Sequence, residues 1–280
     1  MTEDEIILTH ILKCRSLDLV LKKPALTNVQ QKHFENYRHR RSAGEPLQYI
    51  LGTCNFMGLE LAVNPGVLIP RPETEQLVEA ALKYFKSGRA LDLGTGSGNI
   101  AIALAKFVPQ SQIVAVDISA QALEIAKINA RQHMVDNRID FIQGDILSDK
   151  SLCSLPLAAT YRSPRQERGR VREGGEEYNY FDLIISNPPY ILTSQMRSLP
   201  RDVQEEPAAA LDGGEDGLNF YRIIIKYTPY LLRTGACLMM EFGDGQAEAI
   251  IKLVEARKFF SNIEIVQDLA GRDRIIKVVR

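Results

Sequence analysis

From residue 89 onward, short β-branched runs alternate with helical patterns, and this alternation constrains the fold more than any other feature of the chain. Strands are predicted at Arg89 to Leu93, Gln112 to Asp117, Ile139 to Gln143, Phe181 to Ser186 and Gly235 to Phe242. Helices are predicted at Asn99 to Phe107, from Ser119 to about Gln132, at Gly217 to Leu232 and at Gln246 to Lys258. Two β-rich segments, Ile263 to Val266 and Arg274 to Val279, finish the chain. Strand–helix–strand order of this kind specifies an α/β fold, a mostly parallel sheet with helices on both faces.

The first strand runs into Asp92-Leu93-Gly94-Thr95-Gly96-Ser97-Gly98, a glycine turn that opens a helix. Such turns let a ligand approach the backbone closely. About twenty residues later Asp117 ends the second strand, where a carboxylate can grip a ribose diol. Dinucleotide binders and S-adenosylmethionine binders share this pair of features. The spacing here lacks the third glycine of GxGxxG. Asp92 just before the loop repels a pyrophosphate but can accept from a cationic amino-acid moiety. Both points favour S-adenosylmethionine over NAD. Asp145 ends the third strand in Gly144-Asp145-Ile146, placed to reach an adenine amino group with Ile146 against the ring.

The fourth strand stops at Asn187-Pro188-Pro189-Tyr190. Two prolines cannot donate to a ladder and hold φ fixed, so the chain leaves the sheet in a stiff extended loop. That loop presents an amide, carbonyls that no following N–H claims, and an aromatic ring. The group can accept hydrogen bonds from an NH2 and stack on a flat π-system. A rigid strand exit with a buried tyrosine is the plainer alternative.

Residues 1–45 read as a small helical domain. One helix lies behind a Thr2/Glu5 capping box and another runs from Asn28 to Arg41 with Thr27 as N-cap. The basic end of the second (Arg38, His39, Arg40, Arg41) suits a helix C-terminus, with a partner-binding patch as the rival. Residues 46–72 read as a β-hairpin linker, with β-like segments at Gln48 to Leu51, Thr53 to Met57 and Leu59 to Val63. Pro70 and Pro72 then bracket Arg71, as a hinge or as a cover for a ligand. Residues 73–280 read as the α/β domain. Its one misfit is a stretch at 150–178, arginine-rich and nearly free of large aliphatics, expected to be a mobile insertion.

A net charge of −1 gives no global basic field for nucleic acid. Cys14, Cys54, Cys153 and Cys237 lack metal or disulfide spacing, and no apolar run reaches transmembrane length, so a reduced, cytoplasmic setting with no membrane contact is expected. The acidic start, Met1 to Glu5, is unlike a basic signal or transit peptide.

Taken together, Gly94 to Gly98, Asp117, Asp145 and Asn187 to Tyr190 resemble a class I S-adenosylmethionine-dependent methyltransferase with an amino-methylating motif. Gly44-Glu45-Pro46-Leu47-Gln48-Tyr49-Ile50-Leu51-Gly52 and Leu68-Ile69-Pro70-Arg71-Pro72-Glu73-Thr74-Glu75 narrow the resemblance to the HemK/PrmC family of protein-(glutamine-N5) methyltransferases. The resemblance covers the chain apart from 150–178, although the family's helical domain usually begins some residues earlier. It implies a Rossmann-like, seven-stranded mixed sheet and methylation of the Gly-Gly-Gln glutamine of peptide chain release factors. It further implies that Gly94, Thr95, Gly96, Ser97, Gly98, Asp117, Asp145 and Ile146 hold the cofactor, with Asn187 bordering it. The substrate amide would meet Asn187, Pro188, Pro189 and Tyr190, catalysis resting on Asn187, the Pro188 carbonyl and Tyr190. No metal is implied. The rival readings are an adenine-N6 methyltransferase of DNA or RNA and a catalytically silent scaffold of the same fold.

Overall fold

The structure, a computed structural model, describes residues 1–22, 25–148 and 180–280. The predicted insertion at 150–178 and Cys153 lie outside the described residues. Helix α1 (Glu3–Leu12) starts in the expected capping box, Thr2 and Glu5 satisfying each other's backbone N–H groups. Helix α2 (Ser16–Lys22) follows, an element not separately predicted. Helix α3 (Asn28–Ser42) is capped by Thr27 with Gln30 completing a second box. Its basic end is neutralised from within the chain. Arg38 pairs with Asp4 at 3.2 Å, Arg40 with Glu45, and Arg41 with Glu3 at 3.0 Å.

Gln48 to Leu51, expected to be β-like, fall instead in a short helix, α4 (Leu47–Leu51). The fixed φ of Pro46 suits a helix entry, Gly52 closes the turn in the left-handed region, and Tyr49 and Ile50 are buried between them. The hairpin then forms as expected from β1 (Thr53–Phe56) and β2 (Leu59–Ala62), turning on Met57 and Gly58.

Helix α5 (Pro72–Tyr84) leads into the large sheet: β3 (Gly88–Leu93), α6 (Asn99–Phe107), β4 (Ser111–Asp117), α7 (Ala120–Gln132), β5 (Ile139–Gln143) and β6 (Phe181–Ser186). A two-stranded piece, β7 (Ile191–Leu192) with β8 (Asp212–Gly214), brackets a one-turn helix, α8 (Arg201–Gln204). Helix α9 (Asn219–Leu231), β9 (Leu232–Glu241), α10 (Ala247–Glu255), β10 (Ser261–Gln267) and β11 (Asp273–Val279) complete the chain. The sheet has seven strands in the order β10-β11-β9-β6-β3-β4-β5, with β11 antiparallel to both its neighbours. This is the mixed sheet expected of a class I methyltransferase.

Its central strands are apolar on both faces, as burial under two helical layers requires. One layer gathers Leu77, Val78, Ile102 and Leu104 over Ala90, Leu183 and Met239. Phe56, Leu59 and Leu61 of the hairpin are built into this same layer. The other packs Tyr221, Ile224, Ile250 and Val254 over Leu91, Ile184 and Met240. The chain runs outward from β3 through β4 to β5, then returns to β6 on β3's other side. A crevice therefore opens at the carboxyl ends of β3 and β6, where open α/β sheets bind ligands.

Candidate active site

Each predicted site residue lies at that carboxyl edge. The loop after β3 is pinned by Gly94 and Thr95, whose N–H groups donate to Val116 O at 2.9 and 3.0 Å. Gly96 has a φ of 54° and nothing within 4 Å of where a Cβ would stand, so the backbone there faces open space. Gly98 has a φ of 84°, and a Cβ there would come within 2.9 Å of Ile102 and 3.0 Å of Ala126. Only glycine fits that second position. Asp117 closes the loop from β4: Oδ2 accepts from Gly96 N at 2.8 Å and Oδ1 from Ser119 N at 2.9 Å. Burial raises its pKa and these N–H groups oppose the rise. Gly144 N reaches Asp117 O at 2.9 Å, bringing the loop after β5 alongside. Ile146 is buried with its Cδ1 3.8 Å from the Cβ position of Gly94, and Asp145 Oδ1 accepts from Leu147 N at 2.8 Å.

Two polar atoms are buried here without a hydrogen-bond partner of good geometry: Asp92 Oδ1 and Ser97 Oγ, at the two ends of the glycine loop. Buried polar groups are nearly always paired, so such atoms mark a place built for a ligand. The other oxygen of Asp92 accepts from Thr95 Oγ1 at 2.7 Å. Burial pushes the Asp92 carboxyl up to about 7, against the Thr95 hydroxyl and the Ala101 N–H. A cationic donor beside it reverses that penalty. An open glycine backbone, an orphaned carboxylate oxygen and the Ile146 wall fit S-adenosylmethionine, with its α-ammonium group, better than they fit a pyrophosphate.

The loop after β6 adjoins this cradle. Ser186 pairs with Leu93 in register and donates its Oγ proton to Leu93 O at 2.6 Å. Pro188 is buried. Asn187 Nδ2 donates to Thr74 Oγ1 at 2.9 Å, and Thr74 Oγ1 donates to Glu241 Oε2 at 2.7 Å. Tyr190 O accepts from Gln246 Nε2 at 3.1 Å, and the Tyr190 ring lies against Gly243. Burial raises the Tyr190 phenol to about 12, so it stays protonated at neutral pH.

Asn187, Pro188, Pro189 and Tyr190 form the floor of a cleft of about 360 Å³. Its walls include Leu68, Arg71 and Glu73 of the proline-bracketed motif and residues that sequence reasoning missed: Leu199, Pro200 and Val203 at α8, and Arg274 on β11. Glu206, equally missed, sits behind the wall and holds it. It is buried, takes the Ile69 N–H at 3.0 Å and pairs with Arg71. Thr74, in the first turn of α5, reaches Glu241 at the end of β9. The motif Leu68 to Glu75 carried that signal, but only as a resemblance.

Both parts of the chain have counterparts among known proteins. Residues 2–52 match the PrmC N-terminal domain and residues 85–213 a methyltransferase domain. The chain is 43% identical over 239 residues to the release factor glutamine methyltransferase of Geobacter sulfurreducens, covering 85% of this chain and 74% of the relative. With the protein of the same name from Thermodesulfovibrio yellowstonii it is 37% identical over 280 residues, covering 98% and 90%. A methyltransferase from Pyrococcus furiosus of known structure shares the fold, with a TM-score of 0.52 at 16% identity over 90% of this chain and 98% of that one. With relatives this similar over three-quarters or nine-tenths of their own length, the chain belongs to the release factor glutamine methyltransferase family.

Proposed function

We propose that this protein methylates the side-chain amide nitrogen (N5) of the Gly-Gly-Gln glutamine in a peptide chain release factor, and that the loop Asn187 to Tyr190 is where the amide reacts. S-adenosylmethionine, when bound, supplies a methyl group made electrophilic by a sulfonium sulfur. Asp92, Gly94, Thr95, Gly96, Ser97, Gly98, Asp117, Asp145 and Ile146 would hold it. Asp92 would face its ammonium group, Asp117 its ribose, and Asp145 with Ile146 its adenine.

The remaining chemistry belongs to the chain. An amide nitrogen is a weak nucleophile because its lone pair is delocalised into the carbonyl. Asn187 Oδ1 and the Pro188 carbonyl accept from the two N–H bonds of the substrate NH2. They turn its lone pair toward the cofactor side and stabilise the positive charge that grows on nitrogen. Tyr190 packs against the amide plane, and its neutral hydroxyl takes no part. The observation that carries this reading is the orientation of Asn187, whose NH2 is occupied by Thr74, leaving its oxygen for the cleft.

A protein substrate fits better than a nucleic acid. The arginines of α3 are neutralised internally, and Arg71 in the cleft is paired with Glu206. Among the described residues, no helix is long and apolar enough to cross a membrane. A cytoplasmic site of action, where release factors work, follows from the substrate.

Single-turnover transfer of labelled methyl to a release factor tests the reading, with mapping of the modified residue and an RNA and a DNA control. Asn187→Ala is expected to slow transfer by roughly 10²–10³, as for one preorganised group at an oxyanion hole. A folded, cofactor-binding Asn187→Ala protein with near-normal turnover would sink it.

A further inference from the structure

Proton counting decides which end of the Asn187 amide faces the cleft. A threonine hydroxyl has one proton to give, and an ionised carboxylate can only accept. Glu241 Oε2 takes the Thr74 proton at 2.7 Å. Thr74 Oγ1 is then left as an acceptor, and the group of Asn187 facing it at 2.9 Å must be the NH2. Thr74 and Glu241 are both about 1% exposed, so water does not substitute for either partner.

We propose that Thr74 and ionised Glu241 are positioning residues that lock the Asn187 amide with its oxygen toward the substrate. The proposal rests on the reading of Asn187 as the acceptor of the substrate NH2. Neutral Glu241 becomes a donor to Thr74 Oγ1. The Thr74 proton is then free to turn to Asn187 Oδ1, the amide rotates, and the cleft meets an NH2 that cannot accept from another NH2. The relay thus makes the reaction depend on the charge of a group that never touches the substrate.

The surroundings of Glu241 place that charge change in the neutral range. Burial raises its pKa to about 7, and Glu73 of α5 pushes the same way. The Thr74 hydroxyl opposes the rise most, followed by Arg274 of β11 and Arg71 beside α5. The phenols of Tyr190 and Tyr221 near it are both held protonated by burial, and Tyr221 donates to Glu241 O at 2.9 Å.

Single-turnover methylation of a release factor at saturating S-adenosylmethionine, from about pH 6 to pH 8.5, separates the outcomes. The wild-type rate is expected to rise through about pH 7. Thr74→Val should slow it by roughly 10-fold to 100-fold, the scale of a misplaced reacting group, with little change in KM for the cofactor. Thr74→Ser should restore most of the loss. Glu241→Gln should flatten the pH profile. In the cofactor-free protein the 15N side-chain amide resonance of Asn187, assigned by its loss in Asn187→Ala, should titrate in the wild type and not in Glu241→Gln. A rate for folded Thr74→Val within twofold of wild type beside an inactive Asn187→Ala overturns the relay and leaves the methylation reading standing. An active Asn187→Ala overturns that reading itself. If Thr74→Val does not fold, a retained pH limb or a retained titration in Glu241→Gln is sufficient to overturn the relay.

Discussion

Glu206 reaches across 135 residues of sequence to pair with Arg71 and holds the Ile69 N–H on its other oxygen. The Glu206 side chain is almost fully enclosed while that of Arg71 is about one-third exposed, so the pair clamps the cleft wall near α8 to the Pro70–Pro72 corner. Arg71 is thus a structural clamp, where the sequence left a hinge and a ligand cover as alternatives.

Arg71→Ala strands a buried carboxylate, and such losses cost about 3–5 kcal/mol when both partners are enclosed. With Arg71 partly solvated, about 2–3 kcal/mol is expected, read from urea unfolding. Replacing both partners by leucine should recover much of it, since no lone charge is then buried. If the single and double variants are equally unstable, the clamp has been misjudged.

Asp92 sets a pH dependence of stability. Its carboxyl rises from 3.8 unfolded to about 7 folded, so the folded state holds the proton through that window. Stability contributed at this site falls as pH rises across it, and the penalty is complete above pH 7. Three units correspond to on the order of 4 kcal/mol. Asp92→Asn is expected to raise thermal stability at pH 8 relative to wild type, much less at pH 4, while weakening S-adenosylmethionine binding. A variant that is less stable at pH 8 would contradict the burial argument.

Asp117→Ala removes the carboxylate that organises the glycine loop and is proposed to face the ribose. Charge-assisted hydrogen bonds contribute roughly 1.5–3 kcal/mol, so calorimetric affinity for S-adenosylmethionine should fall about 10-fold to 100-fold. Unchanged affinity would remove Asp117 from the cofactor site.

Gly213 tests the path of the reactive loop. A Cβ there would stand 2.7 Å from Tyr190 Cα and 2.8 Å from Pro189 O, both backbone atoms with no slack. Gly213→Ala is expected to displace the Asn187 to Tyr190 loop and reduce methyl transfer at least tenfold, with S-adenosylmethionine affinity close to normal. Wild-type turnover in this variant would show that the loop tolerates movement.

The parts legible in the sequence were those with a local cause. Strand β6 and helix α6 have the predicted limits, because alternation, glycine and proline mark both ends. The glycine loop, Asp117 at a strand end and the double-proline exit were legible as local structure for the same reason. Residues 48–51 misled because a short run ending in Tyr49, Ile50 and Leu51 fits a strand or one helical turn equally well. Glu206, Glu241 and Arg274 left no trace. Glu241 meets Thr74 from 167 residues away and Glu206 meets Ile69 from 137, and such pairings exist only once the sheet has closed.

Asn129 on α7 is buried and holds three backbone groups at once. It accepts from Ala62 N at 2.7 Å, donates to Ala62 O at 3.0 Å and donates to Ser97 O at 2.9 Å. One side chain therefore stitches the hairpin to the end of the glycine loop. A catalytic fragment cut after the hairpin, at residue 73, would lose that stitch together with Phe56, Leu59 and Leu61. A chain trimmed for expression has to keep the hairpin, and Tyr49 just ahead of it as well, since its hydroxyl donates to Val67 O at 2.6 Å and its ring packs with Val63, Ile69 and Ala122.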